Sequence, residues 1–277
     1  METLDLAACY RELGFSEPPF CITPDTGFFF PGGRHVAALE HLKYGLLSGG
    51  FTMLTGEVGL GKTLLCRKLL KSVPKGIRTA YIFNPAPSYE QLLKTIYYDL
   101  VGEQMEASSF DEAQRTMSAT LVGMAEKGEK VAVVLDEAHR FGPEALEGLR
   151  LLSNLETEKE KLIYLMLVGQ PELERTVASV EMRPLAQRIS VRYRLRPFSF
   201  SETYSYIRHR LGVAKINGGG FGFSRSATLL VHAESGGVPR RINQICDRAM
   251  LAAFSKGANT VGAPMIWRAS REIMGAA

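Results

Sequence analysis

The stretch that most constrains this chain is TGEVGLGKTLLCRKLL, residues 55–70, where glycines and a lysine stand directly before a run with apolar residues at helical spacing. Residues 56–63 fit the pattern G-x-x-x-x-G-K-[ST]. Gly56, Gly59 and Gly61 allow the tight turn in which consecutive backbone N–H groups point inward at phosphate oxygens. The cradle therefore comprises Gly56, Glu57, Val58, Gly59, Leu60, Gly61, Lys62, Thr63 and Leu64. In it Lys62 reaches the β and γ phosphates of a nucleoside triphosphate, and the Thr63 hydroxyl ligates the accompanying Mg2+. A helix N-terminus behind the loop adds its dipole. The flanks fit: FTML (51–54) reads as a buried strand and 63–70 as a helix. The competing reading is a chance glycine loop between strand and helix, and these flanks weigh against it.

With 277 residues the chain has length for a sizeable core and roughly two domains. A net charge of +4 leans basic without making nucleic-acid binding the default. Cys9, Cys21, Cys66 and Cys246 are scattered with no C-x-x-C pair, which reads as thiols in a reducing compartment rather than a zinc site or disulfide framework. The start METLDLAACYRELG has acids where a secretory signal needs basic residues, and apolar runs such as VAVVL are strand-sized. No transmembrane segment and a cytoplasmic location are expected, with any membrane contact peripheral and through a partner.

Strand-like and helix-like segments alternate along the chain. Strands are expected at 79–84, 130–136, 162–169 and 189–195, and helices at 88–101, 110–127 and 143–156. Such alternation implies a parallel sheet with helices on both faces. Beyond Pro197 the strand signals stop, and helices at 201–211, 224–235, 239–255 and 263–274 are separated by glycine-rich turns such as NGGG at 217–220. Domain boundaries of 1–198 and 199–277 follow, the second part being helical.

VAVVLDEAHR runs an apolar strand into Asp136 and Glu137. Ligands of parallel sheets bind beyond the carboxyl ends of the strands, so both carboxylates face the phosphate loop. Asp136 then holds the magnesium through its waters, and Glu137 orients and deprotonates the water that attacks the γ phosphate. The plainer reading is an acidic helix cap. His139 needs no role. In RISVRYRLR, Ile189, Val191, Tyr193 and Leu195 alternate with Ser190 and with Arg192, Arg194 and Arg196, giving a buried face and a basic one. That basic face is either solvated or a wall meeting a neighbouring subunit or a polyanion.

PPFCITPDTGFFF, GFTMLTGEVGLGKTLLCRKLL, VVLDEAH, LVGQPEL, LAQRI and GGVPRRIN together resemble the AAA+ ATPases of the general secretion pathway protein A (ExeA) group, nearest its short, MSHA pilus-biogenesis type. The resemblance runs from about residue 15 to about 254. It implies a P-loop NTPase of α/β class: a three-layer αβα domain with a five-stranded parallel sheet, followed by a small all-helical lid. It also implies that residues 1–50 carry the adenine-pocket segment and first helix. By the same resemblance Gln170 is the first sensor, touching the γ phosphate or attacking water; its alternative is a strand-end amide capping the next helix. Arg188 is the arginine offered to a neighbouring subunit's nucleotide, with Arg183 the alternative. Arg240 is the second sensor on the lid, although it and Arg241 read equally well as surface charge. Phe29, Phe30 and His35 are candidate base contacts or, alternatively, core aromatics and a helix-capping histidine.

The expected activity is Mg2+-dependent ATP hydrolysis in head-to-tail homo-oligomers, ring or filament, completed at each shared interface by Arg188. By resemblance it drives or switches assembly of a type IV pilus or type II secretion machinery at the inner membrane. A different class of function is an ATP-dependent DNA-binding regulator of the transposition or replication-initiation type, with the arginines of 192–196 or the lid as contact surface. The modest charge and the lack of a helix-turn-helix weigh against it. Nothing in the phosphate loop separates ATP from GTP, and no Asn-Lys-x-Asp guanine signature is present.

Overall fold

The computed structural model describes residues 6–84, 86, 88–156, 161–216, 220–273 and 275. The chain start, most of the expected turn at 217–220 and the final Met274 of the last expected helix lie outside the described residues. Five strands, β1 (Gly50–Thr55), β2 (Ile77–Ile82), β3 (Lys130–Leu135), β4 (Ile163–Gly169) and β5 (Ile189–Arg194), form one sheet in the order β2-β3-β4-β1-β5. Every pairing in it is parallel.

Position in this sheet explains each strand's composition. A strand covered on both faces must be apolar at every residue, whereas an edge strand alternates. Accordingly the central β4 is buried throughout, and β3 and β1 are buried at all but their first residue. At the edge, β5 buries Ile189 and Val191 and exposes Ser190, Arg192 and Arg194. The strand expected at 79–84 starts and ends two residues earlier, because Ile77–Ile82 pairs residue for residue with Lys130–Leu135.

The helices are α1 (Leu6–Glu12), α2 (Gly33–Ser48), α3 (Lys62–Leu70), α4 (Tyr89–Val101), α5 (Phe110–Glu126), α6 (Pro143–Leu152), α7 (Glu172–Val177), α8 (Arg183–Arg188), α9 (Phe200–Ala214), α10 (Arg225–Ser235), α11 (Pro239–Phe254) and α12 (Ala263–Ile273). Ser88, Ser109, Ser199 and Ser224 accept backbone N–H groups at the starts of α4, α5, α9 and α10, satisfying donors that a helix start leaves over. The α6 helix stops short of the expected residue 156: after Leu152 the Ser153 hydroxyl donates back to the Arg150 carbonyl, and the chain turns away.

Two compact units emerge: Val36–Val58 with Leu65–Leu195, and Met1–His35 with Gly59–Leu64 and Arg196–Ala277. In the first, Phe51, Met53, Val131, Val133, Leu165 and Leu167 pack one sheet face against apolar residues of α4 to α8. Thr52, Ala132, Val134, Tyr164 and Met166 line the other face with Leu46 of α2 and Leu69 and Leu70 of α3. The result is a three-layer αβα unit.

In the second unit α9 to α12 share a core with the N-terminal Tyr10, Phe15, Phe20 and Phe28. The C-terminal part is helical apart from one parallel pair of two-residue strands, β6 (Gly222–Phe223) and β7 (Thr260–Val261). Among the described residues no helix is long and apolar enough to cross a membrane.

A buried cation anchors the proline-rich N-terminal segment. Arg210, only 4% exposed, donates to the Pro19 carbonyl and, at 3.0 Å, to the Cys21 carbonyl. Its guanidinium lies 4.3 Å from the Phe28 ring centroid. The amide of Asn243 donates to the same Cys21 carbonyl, and Tyr206 donates to Asn243. A planar fork serves two carbonyls and stacks on a ring in a way that an ammonium does not. Arg210→Lys is therefore expected to cost about 1–3 kcal/mol of folding stability, read as a lower denaturant midpoint. Arg210→Ala, which leaves both carbonyls without their guanidinium donor, is expected to cost more.

Candidate functional site

In the sheet unit, topology brings three strand ends together. β4 lies between β3, which ends at Leu135, and β1, which leads from Thr55 into Gly56. Thr55 is level with Gly169 and Leu135 with Leu167, so the residues just beyond these strands emerge side by side. Asp136, Glu137, Gln170 and the start of the phosphate loop therefore share one edge of one sheet, where parallel sheets bind ligands.

Asp136 is 3% exposed, and its carboxylate is fixed from two directions. Oδ2 accepts from the Tyr81 hydroxyl at 2.6 Å and Oδ1 from the Glu137 N–H at 2.9 Å, while its own N–H donates to the Ile82 carbonyl. These hydrogen bonds hold the carboxylate in one orientation. Glu137 has the one positive φ, 54°, among the described non-glycine residues. Left-handed backbone is strained for a side chain of this size and recurs where function demands it. Its carboxylate remains partly open to solvent.

His139 was given no role by its sequence context, yet it stands between the other site residues. Its Nε2 lies 3.6 Å from Glu137 Oε2 and 3.0 Å from the side-chain amide of Gln170, whose backbone N–H points at Nδ1. Tyr81 was also missed. In the sequence it is one aromatic in an apolar strand, and only the pairing of β2 with β3 brings its hydroxyl to Asp136.

In the helical unit the second half of the loop is built around two left-handed glycines, Gly59 (φ 83°) and Gly61 (φ 93°). A Cβ on Gly59 would lie 2.8 Å from the Cβ of Arg240, and the Arg240 N–H donates to the Gly59 carbonyl at 3.1 Å. The segment GVPR is thus seated on the loop through Arg240 itself, while its guanidinium-bearing side chain stays exposed. Lys62 opens α3 and is only 7% exposed, with Thr63 following it in the first turn. Leu60 carries its carbonyl to His35 Nε2, 2.9 Å away, and His35 is 4% exposed beside Phe198. Phe30 spends its ring on Phe198, Tyr206 and His209. His35 and Phe30 therefore brace loop and core, and Phe29 is half-buried next to them.

The two candidate trans-acting arginines cap opposite ends of α8. Arg188 is half-buried and donates to the Ser153 hydroxyl at 3.3 Å, whereas Arg183 is exposed. On the basic face of β5, Arg192 donates to the Ala186 carbonyl and Arg194 lies 3.5 Å from Glu174.

Residues 47–177 match the AAA domain family. Over 271 residues the chain is 41% identical to general secretion pathway protein A of Aeromonas hydrophila, a match covering 95% of this chain and 48% of that protein. The chain thus spans about half the length of that relative. Among solved structures, Cdc6p of Pyrobaculum aerophilum superimposes with a TM-score of 0.68 at 19% identity, covering 90% of this chain and 71% of the other. The ADP form of the ORC2 protein of Aeropyrum pernix gives 0.63 at 19% identity, covering 87% and 68%. The chain carries an AAA domain with the fold of the P-loop ATPases. Its five-stranded parallel sheet with helices on both sides is the fold shared with those structures, and the secretion protein is its homologue.

The contact that His35 makes with the loop responds to pH. Burial holds His35 below its usual value of 6.5, the contact with Leu60 opposing this only in part. Between the depressed value and about 6.5 the unfolded chain binds more protons than the folded one, so His35's contribution to stability is full above that window and falls as pH drops through it. His35→Gln, which offers an N–H without titrating, is expected to show a shallower loss of denaturant midpoint between pH 7 and pH 5.5 than the parent chain.

Proposed function

We propose that this ATPase hydrolyses Mg2+-ATP with Glu137 as the general base and couples the cycle to assembly of a secretion or pilus machine. The observation that supports the catalytic part most directly is the common edge formed by β3, β4 and β1, on which Asp136, Glu137, Gln170 and the loop entrance emerge together. In this reading the cradle of Gly56 to Leu64 takes the phosphates on backbone N–H groups, and Lys62 neutralises the β and γ phosphates. Gln170 hydrogen-bonds the γ phosphate or the attacking water, which Glu137 aligns and deprotonates. Arg240, placed on the loop through its backbone, reports the state of the phosphates to α11 and its neighbours.

The oxygen donors Thr63 and Asp136 fit Mg2+, a hard cation that keeps several waters, and the Tyr81 hydroxyl on Asp136 Oδ2 leaves the carboxylate oriented for that task. When bound, the ion would offset charge on the β and γ phosphates. The base is read as adenine from the family resemblance and the absence of a guanine signature.

Head-to-tail assembly with an arginine donated across the interface fits two exposed or half-exposed arginines at the ends of one short helix. Arg188 is the assignment carried by LAQRI, and Arg183 is the one with the freer side chain. The partner reading rests on the identity with general secretion pathway protein A over nearly the whole chain: type II secretion assembly proteins or, for the MSHA-type resemblance, those of a type IV pilus. A cytoplasmic location, peripheral to the inner membrane, follows from such partners. DNA binding through β5 is less favoured, since Arg192 and Arg194 are engaged with Ala186 and Glu174 of their own unit.

Glu137→Gln is expected to slow phosphate release by about 10²–10⁴-fold while fluorescent ATP still binds. Unchanged turnover would remove Glu137 as the base. Glu137→Gln protein is further expected to gain mass in solution when Mg2+-ATP is added. Loss of that gain with Arg188→Ala but not Arg183→Ala assigns the interface to Arg188, and the converse assigns it to Arg183. Co-purification with type II secretion or pilus assembly proteins, dependent on ATP, tests the partner reading.

A further inference from the structure

The turn Ala138–Arg140 follows the left-handed Glu137, buries Ala138 completely and leaves the His139 side chain 13% exposed. Gly169 admits the turn closely: a Cβ there would lie 3.2 Å from the His139 backbone nitrogen and 3.2 Å from the Leu173 Cβ. One tautomer satisfies the surroundings of the ring. Nδ1 accepts from the Gln170 backbone N–H at 3.4 Å, which leaves the proton on Nε2. The Gln170 amide nitrogen is placed 3.0 Å from Nε2, and two donors cannot face each other, so with the proton on Nε2 the amide is assigned the flipped orientation in which its oxygen accepts. The same Nε2 faces Glu137 Oε2 at 3.6 Å, a contact longer than a hydrogen bond, so a small rotation of the glutamate makes or breaks it.

We propose that His139 is a positioning residue that ties the Glu137 carboxylate to Gln170, so that base and γ-phosphate contact are aligned together. The proposal rests on the reading of Glu137 and Gln170 given above. Gln170 clamps the ring from its backbone and its side chain, and the one Nε2–H that this leaves lies between the Gln170 amide at 3.0 Å and, at 3.6 Å, a Glu137 carboxylate that is 39% exposed, so the two share it. An exposed carboxylate samples several rotamers. A donor fixed to the neighbouring strand end selects the one that faces Gln170, and movement of Gln170 when it meets a γ phosphate is transmitted to Glu137 through the ring. His139 itself transfers no proton and touches no substrate.

The test uses the full chain and steady-state ATP hydrolysis. His139→Phe keeps a ring of similar shape without its nitrogens, and it is expected to lower kcat about 10–100-fold, the usual effect of removing a partner that orients a reacting group. KM for ATP and the affinity for a fluorescent ATP analogue should stay within about twofold, because no ligand contact is lost. His139→Gln returns an N–H at the reach of Nε2 and should recover a large part of the loss. Gln170→Ala combined with His139→Phe should be no slower than the slower single variant, since both cut one chain of contacts.

A His139→Phe kcat within twofold of the parent overturns the proposal, as does a penalty that multiplies with that of Gln170→Ala. If His139→Phe does not fold, the same comparison is made with His139→Gln and His139→Asn, and equal full activity in both overturns it. Glu137→Gln measured alongside separates the two levels. Normal turnover in that variant sinks the base assignment, whereas an inactive Glu137→Gln beside a normal His139→Phe sinks only the role of His139.

Discussion

The pairing of β4 between β3 and β1 is the constraint on which the rest of this molecule depends. Parallel strands cannot be joined by hairpins, so each strand before β5 is followed by a crossover that returns over a sheet face, and all five end at the same edge. That edge collects a carboxylate pair from one strand, an amide from the next and the phosphate-loop entrance from the third. Registers of Leu135 with Leu167 and of Thr55 with Gly169 put those residues level with one another. A slip of one residue would turn every core side chain of a strand to the opposite face, so the buried faces also lock the register on which the site relies.

In each unit by itself, interactions that spend buried polar groups support the residues described above. Around the carboxylates, Tyr81 fixes Asp136 and His139 joins Gln170 to the neighbourhood of Glu137. Around the second half of the loop, His35 holds the Leu60 carbonyl and the backbone of Arg240 holds that of Gly59. These groups would cost free energy if buried without partners, so their contacts confer a defined geometry as well as stability. The strained Glu137 backbone fits the same pattern: a costly conformation at the proposed base, kept in place by a fully buried Ala138 immediately after it.

The N-terminal segment shows a second use of buried polarity. Arg210 and Asn243 supply side-chain donors to the Pro19 and Cys21 carbonyls. Phe28 and Phe30 then insert between these polar contacts and the helical core. Of the candidate base contacts, Phe30 packs its ring against Phe198, Tyr206 and His209. The single histidine among them, His35, connects the segment to the phosphate loop.

The sequence by itself determined the elements and the chemistry. Residues 56–63 carry their requirement in their own types, because left-handed glycines and a lysine before a helix suit few purposes besides a phosphate cradle. The apolar runs of β3 and β4 announce strands covered on both faces. Strand ends were placed less well, as at β2, because periodicity does not see the partner register. Only the tertiary structure decided which side chains meet. Tyr81 and Asp136 are 55 residues apart in sequence, as are His139 and Gln170 by 31, and no local pattern links such pairs. The choice of Arg240 over Arg241 as the residue seated on Gly59, and the engagement of Arg188 but not Arg183 with Ser153, were likewise set by helix phase and close packing. Local propensity writes secondary structure into neighbouring residues, whereas a site arises from contacts between distant ones, which exist only once the sheet has fixed its strand order.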